Sequence, residues 1–194
     1  MKRILLPLLL LLTITTASSA QSIAGILSRQ DYNTIQIINT QYSQSMSLTN
    51  IANQPVNGSW SQLNTLGIGL PTCSTSEYTG TECYIRKPGI EVYYSDQLGK
   101  FSMGQLTITS SNYGFKIKGI LIKVGDDISK LALVHPDAYS KREKLQSQTL
   151  TDHQVLLHLE GTDVSISFRY DPQTNCVTRI GFFQSLVWFL FPSG

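Results

Sequence analysis

From residue 90 onward apolar and polar positions alternate. Ile90, Val92 and Tyr94 lie two apart, and Leu106 and Ile108 are interleaved with Gln105, Thr107 and Thr109. Period two marks strands with one buried face, so residues 90–94 and 101–109 are predicted as strands joined by a hairpin turn over 95–100. The pattern returns further on. Phe115, Ile117, Ile120, Ile122 and Val124 form a β-prone run. Val155, Leu157 and Leu159 share a face, as do Val164, Ile166, Phe168 and Tyr170, and Val177, Ile180, Phe182 and Phe183 open a last strand after the turn at Asp171-Pro172.

Helical spacing is shorter-lived. Ile23, Ile26 and Leu27, then Ile35, Ile38 and Tyr42, predict one or two short amphipathic helices in a Ser/Thr/Asn/Gln-rich stretch. Asn57-Gly58 is a turn signal, Ser59 a suitable N-cap, and Trp60, Leu63 and Leu66 fall on one helical face that ends at Gly67 or Gly69. A second helix, capped by Asp126 or Asp127, carries Ile128, Leu131 and Leu133 and stops at Pro136. Residues 137–152 read as a polar loop with a helical turn around 141–145. The tail from Leu186 to Phe191 is the most apolar segment after the N-terminus; it reads as a core strand covered on both faces, with a partner-seeking edge as the alternative.

Leu63, Leu66 and Pro71 recur with the same spacing as Ile128, Leu131 and Pro136, and each set is followed by a loop, a strand, a turn containing Asp96 or Asp171, and another strand. This predicts an α+β fold built as a tandem repeat of a short helical element followed by antiparallel strands, forming one extended sheet with helices on one face. The units are a leader over 1–20, a polar N-terminal helical segment over 21–57, a first repeat over 58–112, and a second over 113–194 with an apolar C-terminal strand.

Lys2 and Arg3, the apolar run from Ile4 to Leu12, and the small residues Ser18 and Ala20 have the layout of a secretory signal peptide cleaved before Gln21. The apolar run is too short for a spanning anchor, and no cysteine follows it to accept a lipid. A secreted or periplasmic product with no membrane span after leader removal is expected. The leader takes two of the 15 basic residues and none of the 13 acidic ones, leaving a neutral mature chain. Neutrality speaks against nucleic-acid binding. Cys73 and Cys83 bracket a short polar loop and, in an exported chain, are expected to form a disulfide, with Cys176 left over.

The duplicated helix, proline and strand-turn-strand pattern resembles the β-lactamase-inhibitor-like fold, in which a small helical element packs on an antiparallel sheet. The stretch Val124-Gly125-Asp126-Asp127-Ile128-Ser129-Lys130-Leu131, together with the later run from Gly161 to Phe183, also resembles small bacterial envelope proteins of the SmpA/OmlA type. The resemblance covers about residues 59–187 and implies a non-enzymatic protein. It lacks the lipobox cysteine of the envelope lipoproteins, and it transfers no binding residue.

Catalytic signatures are absent. There is no nucleophile elbow, zinc-protease helix, phosphate loop or C-x-x-C pair. His135 sits at a helix end where a cation would suit the dipole, while His153 and His158, read as outward, match no metal template with Asp152 and Asp163. No metal, cofactor or catalytic residue is assigned. Tyrosines cluster instead at 78, 84, 93 and 94. Tyr94 belongs to the buried face of its strand, which leaves Tyr84, Glu91 and Tyr93 as outward candidates for recognition. The functional expectation is a non-catalytic module binding another envelope or secreted protein; the alternatives are an inhibitor of a secreted enzyme and a hydrolase of unrecognised type.

Overall fold

The computed structural model describes residues 25–52, 60–77, 80–96, 101–142 and 153–184. The leader, the cleavage site at Gln21, the cap Ser59 and the tail over 186–191 lie outside them. The described chain is α+β and mostly strand. It begins with β1 (Ile26–Leu27), α1 (Arg29–Asn33), β2 (Gln36–Asn39), β3 (Gln44–Ser47), α2 (Leu48–Ala52) and α3 (Ser61–Thr65). Four strands follow: β4 (Thr72–Ser76), β5 (Gly80–Lys87), β6 (Ile90–Ser95) and β7 (Ser102–Ile108). Then come β8 (Tyr113–Ile117), β9 (Ile120–Lys123), α4 (Lys130–Val134), α5 (Pro136–Ser140), β10 (His153–Leu159), β11 (Val164–Tyr170) and β12 (Val177–Gln184).

Two sheets form. The larger has the order β1-β10-β11-β12-β7-β6-β5-β4, and the smaller β3-β2-β8-β9. All these pairings are antiparallel except that of β1 with β10. Alternation decides which face of the large sheet is inward: Ile90, Val92 and Tyr94, Leu106 and Ile108, Val155 and Leu157, Ile166 and Phe168, and Ile180 and Phe182 are buried. They join one core with Ile37, Phe115 and Ile122 of the small sheet and with Leu48, Ile51, Leu63, Leu66, Leu131 and Val134 from the helical segments. Residues of the opposite parity, such as Glu91, Tyr93 and Gln105, form the other face of the large sheet. β4 is the exception to burial, exposed along its whole length and held at the sheet edge by its ladder to β5.

Several sequence expectations change here. The large sheet is accompanied by a second one, because β2–β3 and β8–β9 pair with each other. Ile35, Ile38 and Tyr42 do not form a helical face. Ile35, Ile37 and Asn39 are buried at period two, and Tyr42 is exposed in the turn between β2 and β3. Asn39 is what shapes that turn. Its Oδ1 accepts from the Gln41 and Tyr42 N–H groups at 3.1 and 3.4 Å, and its Nδ2 donates to the Leu66 carbonyl at 2.9 Å, tying the hairpin to the end of α3. The predicted helical segment over 21–57 is thus, where described, threaded through both sheets.

The loop from Cys73 to Cys83 is a hairpin. Register sets Cys73 directly opposite Cys83, and the predicted disulfide joins them across a Cα separation of 4.1 Å. The β-prone run is likewise two strands, split at Lys118-Gly119. Both residues have positive φ, 50° and 81°, the conformation that two-residue hairpin turns require. Leu133 is 69 % exposed and Val134 takes the core place, because α4 is only five residues long and presents a narrow face. Pro136 opens α5 as well as ending α4, in the position where its missing N–H costs nothing. The helical turn expected around 141–145 lies, beyond Arg142, outside the described residues. The matched leucines also fall on non-matching elements: Leu63 and Leu66 belong to the second helix after their hairpin, Ile128 and Leu131 to the approach and start of the first.

Candidate functional site

The outward face of the large sheet carries its richest side-chain constellation over β5, β6 and β7. Outward positions on β5 are Glu82, Tyr84 and Arg86, set against Ser95, Tyr93 and Glu91 of β6. Gln105 and Thr107 of β7 stand beside Tyr93 and Glu91. Tyr84, Arg86, Glu91, Tyr93, Gln105 and Thr107 together line an open hollow of about 280 Å³. The three residues singled out from the sequence, Tyr84, Glu91 and Tyr93, are brought together in it.

The site is pre-ordered by its own contacts. The rings of Tyr84 and Tyr93 lie 4.8 Å apart, tilted by 36°, and the Arg86 guanidinium sits 4.9 Å from the Tyr84 centroid, within cation–π range. Both phenols donate to one carboxylate: Tyr84 to Glu82 Oε2 at 3.3 Å and Tyr93 to Glu82 Oε1 at 3.0 Å. Partial burial and then the neighbouring Glu82 raise the Tyr84 pKa. Burial is the main cause that pushes Tyr93 up to about 12, with Glu82 adding to it. Both tyrosines are therefore neutral donors near neutral pH, and Glu82 fixes where their rings stand. Next to Tyr93 the β6–β7 register shifts between Tyr93 and Tyr94. Such a bulge re-aims neighbouring side chains.

Glu82, Arg86, Gln105 and Thr107 were not among the sequence candidates. Gln105 and Thr107 were legible as the polar positions of β7. Glu82 and Arg86 share the period of Tyr84, but that signal appears only once β5 is read as a strand.

The histidines sit elsewhere. His135 caps α5: its Nδ1 accepts from the Ala138 N–H at 3.2 Å, and its Nε2 lies 3.1 Å from the Ile26 carbonyl. His153 is on the core-facing side of β10, not the outward one. It meets the hydroxyl of buried Tyr170 at 3.3 Å and the ring edge-on. His158 is outward, with Nδ1 3.1 Å from Ser165 Oγ. Among the described residues no carboxylate bonds to His158, and no group of three or more His, Cys, Asp or Glu side chains is arranged to hold a metal. Cys176 is half-buried and unpaired with another cysteine, its Sγ 3.6 Å from the Thr174 carbonyl. Tyr78 lies outside the described residues. No helix among them is long and apolar enough to cross a membrane.

No protein-family model matches this sequence, and neither a curated protein nor a solved structure shows detectable similarity to it.

Proposed function

We propose that this chain is an exported, non-catalytic protein-binding module of the cell envelope, made of two copies of one α+β unit and related in design to β-lactamase-inhibitor-like and SmpA/OmlA-like proteins. The observation that carries the reading is the outward tyrosine pair held by Glu82. Paired rings with fixed hydroxyls, rimmed by Arg86 and Glu91, have the composition of an interface anchor, where aromatic residues and arginine contribute most. The Cys73–Cys83 bond supports an oxidising compartment, in keeping with the leader pattern.

Registers support the duplication and move its boundary. Each copy would be a hairpin, a pair of helices and three strands: β2–β3, α2–α3 and β5–β7, then β8–β9, α4–α5 and β10–β12. The central pairs are β7 with β12 in one sheet and β2 with β8 in the other, as a two-fold axis between the copies requires. Tyr94 and Tyr170 become equivalent, each buried and each next to a register shift. The first copy then begins near residue 35, not 58.

Chemical cross-linking in envelope preparations tests the reading. The wild-type chain should capture a discrete partner that Tyr84→Ala/Tyr93→Ala loses and Leu133→Ala retains; identical capture by all three chains would refute it. If the partner is a secreted enzyme, inhibition of that enzyme by the purified chain distinguishes the inhibitor form. The His158–Ser165 contact favours a second reading, a hydrolase, which labelling of Ser165 by a serine-directed fluorophosphonate would support.

A further inference from the structure

β4 ends the large sheet, and among the described residues no further strand lies beyond it. Two observations fix which of its backbone groups β5 uses. Cys73 and Cys83 stand directly opposite with Cα atoms 4.1 Å apart, the close spacing of a pair that exchanges no ladder bonds. On the far side of β5 the Asp96 N–H donates to the Thr81 carbonyl at 3.2 Å, so Thr81, and Cys83 two residues on, turn their backbone groups toward β6. The bonded pairs of the β4–β5 ladder are therefore Thr72 with Tyr84, Ser74 with Glu82 and Ser76 with Gly80. Cys73 and Thr75 point their N–H and C=O groups the other way, out of the sheet edge.

An edge of this kind is a template for another strand unless something blunts it. At the opposite end of the sheet β1 is only two residues long. β4 has five residues, all exposed, and Thr72-Cys73-Ser74-Thr75-Ser76 contains neither a charge nor a proline. Its ladder to β5 runs without a register shift, so no bulge twists it away, and the disulfide holds it in place. Leu70, two residues ahead of the strand, is 63 % exposed, an apolar side chain left beside the same edge.

The free groups of β4 match those of β4 itself. In an antiparallel pair with a two-fold axis through Ser74, each Cys73 faces the other molecule's Thr75 as a bonded pair, and every outward N–H and C=O of both residues finds a partner. Ser74 meets its own counterpart on the axis and Thr72 meets Ser76, so no charge is set against a like charge. With 15 basic and 13 acidic residues the chain has little net charge to hold two molecules apart.

We propose that β4 is a homodimer interface, in which two molecules of this chain pair their β4 edges antiparallel about Ser74 and join their large sheets into one. The pairing uses backbone groups of β4 and leaves the Tyr84–Tyr93 hollow open, so it stands apart from the protein-binding reading above. The ladder is short and buries little surface, which makes the dimer weak and reversible. A two-fold contact of this kind is closed, so association stops at two chains.

Sedimentation velocity of the full-length protein from about 10 µM to about 1 mM, the range in which small interfaces load, tests this. The wild type should pass from one chain toward two. Thr75→Pro removes an outward N–H at an edge position where proline is tolerated, and should weaken association by at least about tenfold. Ser74→Lys and Ser74→Asp each set like charges on the axis and should stay single; their equimolar mixture should associate again. Leu133→Ala, exposed on α4, should behave as the wild type. A wild type that remains one chain over the whole range overturns the inference. So do growth past two chains, association unchanged by Thr75→Pro, and a charge-swapped mixture that fails to pair.

Discussion

Replacing Tyr94 by Phe isolates one buried hydrogen bond. Tyr94 is fully buried on β6, its ring 5.1 Å from Trp60 edge-on and stacked 6.0 Å from Phe101. Its hydroxyl donates to the Ile51 carbonyl at 3.1 Å, joining α2 to the large sheet. Phe keeps the ring and its contacts and removes only the donor, so the loss is that of a buried acceptor left unsatisfied, about 1–3 kcal/mol. In a domain of this size each kcal/mol lowers Tm by about 2–4 °C. A second signature separates this bond from generic repacking. Burial holds the Tyr94 pKa well above 10.0, so the unfolded chain releases that proton first as pH rises. Below pH 10 the folded and unfolded phenols are both neutral and the wild type has its full advantage; above it, stability falls with pH because the unfolded state binds fewer protons. The Phe variant lacks this linkage, so the gap between the two chains should narrow between about pH 10 and pH 12 in urea melts. An unchanged Tm near neutrality, or a gap that stays constant through the alkaline range, would refute the reasoning.

Leu66→Ala and Leu131→Ala should each cost about 2–5 kcal/mol in chemical denaturation, since both side chains are wholly buried; Leu133→Ala should stay within about 0.5 kcal/mol. Removing the disulfide as Cys73→Ala/Cys83→Ala should lose at most about 2–3 kcal/mol of loop entropy. Because β4 buries no side chain, hydrogen exchange should quicken along β4 and the facing edge of β5 while β6 and β7 keep their protection. Equal loss of protection in β7 would show that the bridge supports the core and not only the edge.

The strands legible in the sequence are those with one buried face. β6, β7, β10 and β11 alternate because their inward residues meet the helices and small sheet while the outward ones do not, and period two survives wherever that asymmetry exists. β4 lacks it altogether. Thr72-Cys73-Ser74-Thr75-Ser76 has no apolar side chain beyond a half-cystine, so backbone pairing and the bridge alone make it a strand. β2 and β3 fail for a different reason: they are four residues each, and the helix-like spacing of Ile35, Ile38 and Tyr42 is longer than either. That β2 pairs with β8, far along the chain, could not be read from either segment, because alternation tells which face is buried and says nothing about the neighbour.

The candidate site divides along the same line. Glu91 and Tyr93 were found because their parity opposes that of buried Val92 and Tyr94, and Tyr84 because it belongs to the tyrosine cluster, both local properties. Pairings across the sheet are not local: Arg169 and Arg179 are neighbours only through register, with nine residues of strand and turn between them in the sequence. On the proposed duplication this follows from how the two copies would diverge. Inward positions keep their apolar class, as Val92 and Phe168 or Leu106 and Ile180 do, because both face one core. Outward positions are free of that constraint, and there Tyr93 and Gln105 stand where the other copy has Arg169 and Arg179. Core-facing similarity and surface-facing difference would then be two results of one constraint, and the chemistry that sets a partner would be written in the positions that resemble each other least.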